Sequence, residues 1–112
     1  MKRFLFWSLL LIADSAHSAD PDIGQLIDAA EKGNSEAMYA VFDTIEQKGT
    51  PEKPISNEEQ KLATYWLIKA GESRNRRAAS VLALCYEKGC FGVPVDPSKA
   101  LYYQGISKSG AP

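Results

Sequence analysis

The segment Tyr86-Glu87-Lys88-Gly89-Cys90-Phe91-Gly92-Val93-Pro94-Val95-Asp96-Pro97 decides the fold, because it ends one helix and starts another. Upstream of it, Ala78, Val81, Leu82 and Cys85 recur at the three- and four-residue spacing of a helix face. Gly89 supplies the stop, since glycine adopts the left-handed backbone that commonly follows a last helical turn. Residues 89–95 read as a loop. Asp96-Pro97 then provides a cap and a first-turn proline for a helix carrying Ala100, Leu101, Tyr102 and Tyr103.

Working outward, the same logic predicts three earlier helices. Asp20-Pro21 is a cap and first-turn proline for a helix with Ile23, Leu26, Ile27 and Ala30 on its apolar face, ended by Gly33. Asn34 or Ser35 caps a second helix with Ala37, Val41 and Ile45 at spacing four, flanked by Met38 and Phe42, which stops at Gly49. Thr50-Pro51-Glu52-Lys53-Pro54 cannot continue a helix, because proline removes a donor and clashes with the preceding turn. Ser56-Asn57-Glu58-Glu59 has the spacing of a capping box, so a third helix starts there, carries Leu62, Ala63, Trp66, Leu67 and Ala70, and closes at Gly71. A fourth begins between Ser73 and Arg76 and runs to Lys88. No segment alternates like a strand. The expected class is all-α.

Cys85 and Cys90 are the only cysteines, five positions apart. In a continuous helix that offset turns the two side chains away from each other, so a disulfide requires the helix to end between them, as Gly89 allows. Closing so short a loop contributes about 2 kcal/mol before strain. The alternative leaves Cys85 as a small buried apolar residue of its stripe.

The helices also repeat. Ala29-Ala30-Glu31-Lys32-Gly33-Asn34 before Ala37 corresponds to Lys69-Ala70-Gly71-Glu72 before Ala78 at an offset of about 41, and Ala63-Thr64-Tyr65-Trp66 to Ala100-Leu101-Tyr102-Tyr103 at an offset of 37. Periods near 40 with two helices each indicate an α-solenoid. Ala29-Ala30-Glu31-x-Gly33-Asn34-x-x-Ala37 resembles the inter-repeat signature of Sel1-like repeats. Leu82-Ala83-x-x-Tyr86-x-x-Gly89, then Gly92-Val93-x-x-Asp96-x-x-x-Ala100-x-x-Tyr103, is similar to the helix–loop–helix core of that repeat. The resemblance implies a short α-solenoid of two Sel1-like helix-turn-helix repeats, about 34–70 and 74–108, within a domain over 20–112, with the first helix as an N-terminal cap. It also implies protein–protein interaction rather than catalysis, the matched residues being packing positions.

Lys2 and Arg3, the apolar run Phe4–Ala13 and the small, polar Asp14–Ala19 have the layout of a signal peptide over 1–19. The run of about 10 apolar residues falls short of the roughly 20 a spanning helix needs. A periplasmic or secreted chain is therefore expected, without membrane insertion after cleavage. Removing Lys2, Arg3 and Asp14 leaves 11 basic and 13 acidic side chains, a balance that favours neither nucleic acid nor an anionic membrane as partner. Cleavage also removes His17, the only histidine, and with it the usual general base near neutral pH and the commonest transition-metal ligand. No cofactor, metal or catalytic set is expected. Asp43, Glu46 and Glu87 have no spacing that would set two carboxylates across a scissile bond.

Five side chains are candidates for touching a protein partner. Arg74, Arg76 and Arg77 form the densest charge cluster and suit bidentate pairing with carboxylates; the alternative is a solvated surface offset by Glu72, Glu58 or Glu59. Tyr65 and Tyr102 each precede another aromatic, Trp66 and Tyr103. Helix neighbours diverge by about 100°, so Trp66 and Tyr103 are expected to fill the core and Tyr65 and Tyr102 to border solvent. The expected role is a non-catalytic interaction module or adaptor. The alternatives are a periplasmic immunity protein that neutralises a toxin, and a β-lactam-binding or β-lactamase-like member. The last is disfavoured because the chain lacks one cysteine pair per repeat.

Overall fold

The computed structural model describes residues 22–109, so the leader expected over 1–19 and the Asp20-Pro21 start lie outside the described residues. Five α-helices follow one another: α1 (Ile23–Glu31), α2 (Ser35–Glu46), α3 (Asn57–Glu72), α4 (Arg76–Lys88) and α5 (Pro97–Ser109). Among the described residues there is no strand; an isolated bridge joins Cys90 and Val93. The described residues form an all-helical fold, as their apolar spacing predicts.

Each helix starts where a short polar side chain can take the free amides of its first turn. Asp22 accepts from the Gly24 N–H, Asn34 from Ala37 and Asn75 from Ala78, while Ser56 and Glu59 form a reciprocal capping box. Two connections share one hydrogen-bond pattern. The Gly33 and Asn34 amides bond back to the Ala30 and Ala29 carbonyls, and the Arg74 and Asn75 amides to Gly71 and Ala70. In both, the residue before the asparagine has positive φ, 100° at Gly33 and 66° at Arg74. This is the Schellman closure, fused directly to the cap of the next helix.

The helices pack mainly on their neighbours in sequence, α1 on α2, α2 on α3, α3 on α4 and α4 on α5. One cluster runs through them all, from Ala30 through Val41, Phe42, Trp66, Leu67 and Leu82 to Tyr103 and Ile106. Alanines mark the close approaches: Ala63, Ala70, Ala78 and Ala79 have no exposed surface. Gly71 belongs with them. The sequence reading placed it at the end of its helix, but α3 continues to Glu72 and the left-handed residue is Arg74. A Cβ at Gly71 would lie 2.4 Å from Leu82 Cδ1 and 3.0 Å from Tyr103 Cε1, so this glycine lets α3 settle against α4 and α5.

In the connection between α3 and α4, Asn75 is the one buried polar residue among the described residues, 3% exposed. Its side-chain oxygen caps α4, and its amide nitrogen donates to Glu36 Oε2 on α2 at 2.9 Å. A buried amide is tolerated when both ends are satisfied.

Candidate functional site

A groove of about 490 Å³ runs along α3, closed on one side by the turn at Phe91 and Gly92. Asn57, Lys61, Thr64, Tyr65 and Ile68 recur along α3 at helical spacing and form its floor and lip. Tyr65 is 52% exposed, its ring edge-on to buried Trp66 at 5.0 Å and the Lys69 ammonium 5.8 Å from its centroid. A second groove of about 310 Å³ lies between Glu46, Gln60 and the proline loop, and Gln60 lines both.

The far wall depends on the cysteines. α4 stops at Lys88, Gly89 turns with φ 81°, and Cys85 and Cys90 are bonded with Cα atoms 4.8 Å apart. Phe91 and Gly92 then both adopt positive φ, 52° and 76°, and Val93 N–H closes the turn on Cys90 O at 2.8 Å. The turn carries Phe91 across to the preceding hairpin. Its ring meets Phe42 edge-on at 5.1 Å, and its carbonyl accepts from Thr64 Oγ1 at 2.6 Å. Gln60 Nε2 donates both to Thr64 Oγ1, at 3.1 Å, and to Glu46 Oε2, at 2.6 Å. Burial pushes the Glu46 carboxyl above the usual carboxylate range, and the Gln60 hydrogen bond opposes it.

Compared with family models, with curated proteins and with solved structures, the chain matches none of them. The site therefore rests on its own geometry. All three arginines are exposed, with different neighbours. Arg74 is exposed in the connection before α4, Arg76 Nε donates to Ser107 O at 3.2 Å near the end of α5, and the Arg77 guanidinium lies 5.9 Å from the Tyr39 ring centroid on α2. The Tyr39 hydroxyl is pushed up by burial and by Asp43, and drawn down by Arg77.

Tyr102 is 58% exposed and stands edge-on to buried Tyr103 at 5.0 Å. Tyr103 stacks on Tyr86 at 5.7 Å, and burial, with Tyr86 and Glu72 nearby, pushes its hydroxyl up to about 12. Of the candidate partner residues, Tyr65 alone lines the groove. Asp43 accepts from Gln47 just past the end of its own helix, Glu46 accepts from Gln60 on α3, and Glu87 is exposed.

Thr64, Gln60, Ile68 and Phe91 escaped the sequence reading, although all shape the groove. The repeated polar positions along α3 were a visible signal. The crossing of Phe91 to Phe42 was not, since it joins residues far apart in the chain. Among the described residues, no helix is long and apolar enough to cross a membrane, and no group of three or more His, Cys, Asp or Glu could hold a metal ion.

Proposed function

We propose that this chain is a non-catalytic interaction module that seats a segment of a protein partner in the α3 groove. The observation that carries the reading is the exposed ring of Tyr65 on the lip of a hollow with Ile68 and Phe91 behind it. A half-exposed aromatic beside an open recess is the kind of surface that gains most when a partner covers it. Asn57, Gln60 and Thr64 add amide and hydroxyl groups able to bond a peptide backbone.

The scaffold we assign to this surface is a short α-solenoid of two Sel1-like repeats with α1 as cap. Support comes from the matching closures at Gly33-Asn34 and Arg74-Asn75 and from packing that passes from each helix to the next. We assign the protein to the periplasm or the exterior of the cell. The Cys85–Cys90 bond suits an oxidising compartment, and the amino-terminal segment has the pattern of a cleavable leader.

The test is affinity capture from envelope extracts with the wild-type protein, Tyr65→Ala/Ile68→Asp and Arg76→Glu/Arg77→Glu as parallel baits. A partner retained by wild type and by the arginine variant but lost with the groove variant, at unchanged helicity, supports the groove. A partner lost only with the arginine variant moves the site to the start of α4. One stoichiometric toxin-like enzyme among the captured proteins would give the module an immunity role. Turnover or covalent labelling by a β-lactam would overturn the non-catalytic reading.

A further inference from the structure

We propose that the Cys85–Cys90 bond is a redox-sensitive latch, whose opening by a dithiol reductant frees Phe91 from the first hairpin and removes the wall of the α3 groove. Three observations converge on the turn. Phe91 is a bulky residue at φ 52°, a backbone region that L side chains other than asparagine and aspartate rarely occupy. The covalent bond fixes Cys90, the residue immediately before it, to buried Cys85. Two contacts tie Phe91 to the preceding hairpin of α2 and α3: the ring on Phe42 and the carbonyl that accepts from Thr64. The disulfide thus holds in place a turn that the chain would otherwise relax.

The two sulfurs are unequally placed. Cys85 has no exposed surface, whereas Cys90 is partly exposed at the rim of the loop. A thiolate of the reductant therefore attacks Cys90 Sγ. The Cys85–Cys90 S–S bond breaks, and Cys85 leaves as a thiolate and takes up a proton. The second thiolate of the reductant then attacks the mixed disulfide and releases Cys90, which is protonated in turn. The protein gains two electrons and two protons, and the dithiol becomes a disulfide.

Amide hydrogen exchange on the whole protein tests this, with and without dithiothreitol, once thiol labelling has shown both cysteines free. Reduction is expected to speed exchange at Val93, bonded to Cys90 O, and at Asp96, bonded to Tyr86 O, by about tenfold or more, while amides of α1 and α2 keep their protection. Cys85→Ala/Cys90→Ala should reproduce the reduced pattern and ignore the reductant. Unchanged protection at Val93 and Asp96 would overturn the latch. So would an equal loss throughout α1 and α2, which would make the bond a staple of the whole fold. The readout uses no partner, so its failure leaves the docking reading standing, and loss of that reading leaves the latch.

Discussion

The two hairpin loops face the same task by different means. Between α2 and α3, residues 47–56 form a loop that is largely self-contained. Thr50 and Lys53 bond each other's backbone in both directions, Thr50 Oγ1 accepts from the Lys53 amide at 3.0 Å, and Lys48 pairs with Glu59 at the start of α3. Most of its side chains are exposed. Between α4 and α5, residues 89–96 are bonded covalently to α4, bury Val93 and send Phe91 into the neighbouring hairpin. The first loop stiffens itself with prolines, which act largely by narrowing the unfolded ensemble. The second is part of the packing, so disturbing it disturbs the joint between hairpins.

Four experiments can break or sharpen that contrast. Cys85→Ala/Cys90→Ala should lower stability by about 2 to 3 kcal/mol in urea denaturation, the loop-closure contribution plus lost contacts at a fully buried position. Phe91→Ala should cost about 2 kcal/mol, below the range for a fully buried phenylalanine because the ring is partly exposed. Phe91→Gly should recover about 1 kcal/mol of that loss by relieving the left-handed backbone. In the other loop, Pro51→Ala or Pro54→Ala should each cost less than about 1 kcal/mol. If either proline matched the disulfide in a side-by-side melt, the contrast would fail.

The smallest effect is in pH dependence. The Lys48 hydrogen bond and the Ser56 amide hold the Glu59 carboxyl below the usual carboxylate range, so its stabilisation is present above its unfolded pKa and lost as pH falls through the depressed folded value. Glu46 is raised, so its contribution has the opposite sign: present below its unfolded pKa, lost as pH rises through the folded value. Glu59→Gln should therefore melt below wild type at neutral pH and Glu46→Gln above it, with both differences vanishing in acid. Thermal melts across the carboxylate range check both signs.

The helices were legible because their apolar spacing and caps are local. Asn34, Ser56 and the cysteine spacing each carry their meaning within a few residues. Gly71 was misread because a glycine that ends a helix and one that admits a neighbouring helix look alike until the neighbour is present. The three arginines read as one cluster because they are close in sequence. Their neighbours were not legible: Arg76 and Arg77, about 100° apart around α4, meet α5 and α2 respectively. The groove was only half legible. Tyr65 stood out by type, whereas Gln60, Thr64 and Phe91 acquire their roles from a contact between hairpins.

Asn75 shows how much can rest on one amide. Because its nitrogen donates to Glu36 and its oxygen caps α4, the site distinguishes asparagine from aspartate by the donor it needs as well as by charge. Hydrolytic deamidation there would keep the cap, yet remove the donor and set a second carboxylate against Glu36. Burial of Asn75 shields its amide from the water that such hydrolysis consumes, so the packing that makes the change harmful also slows it.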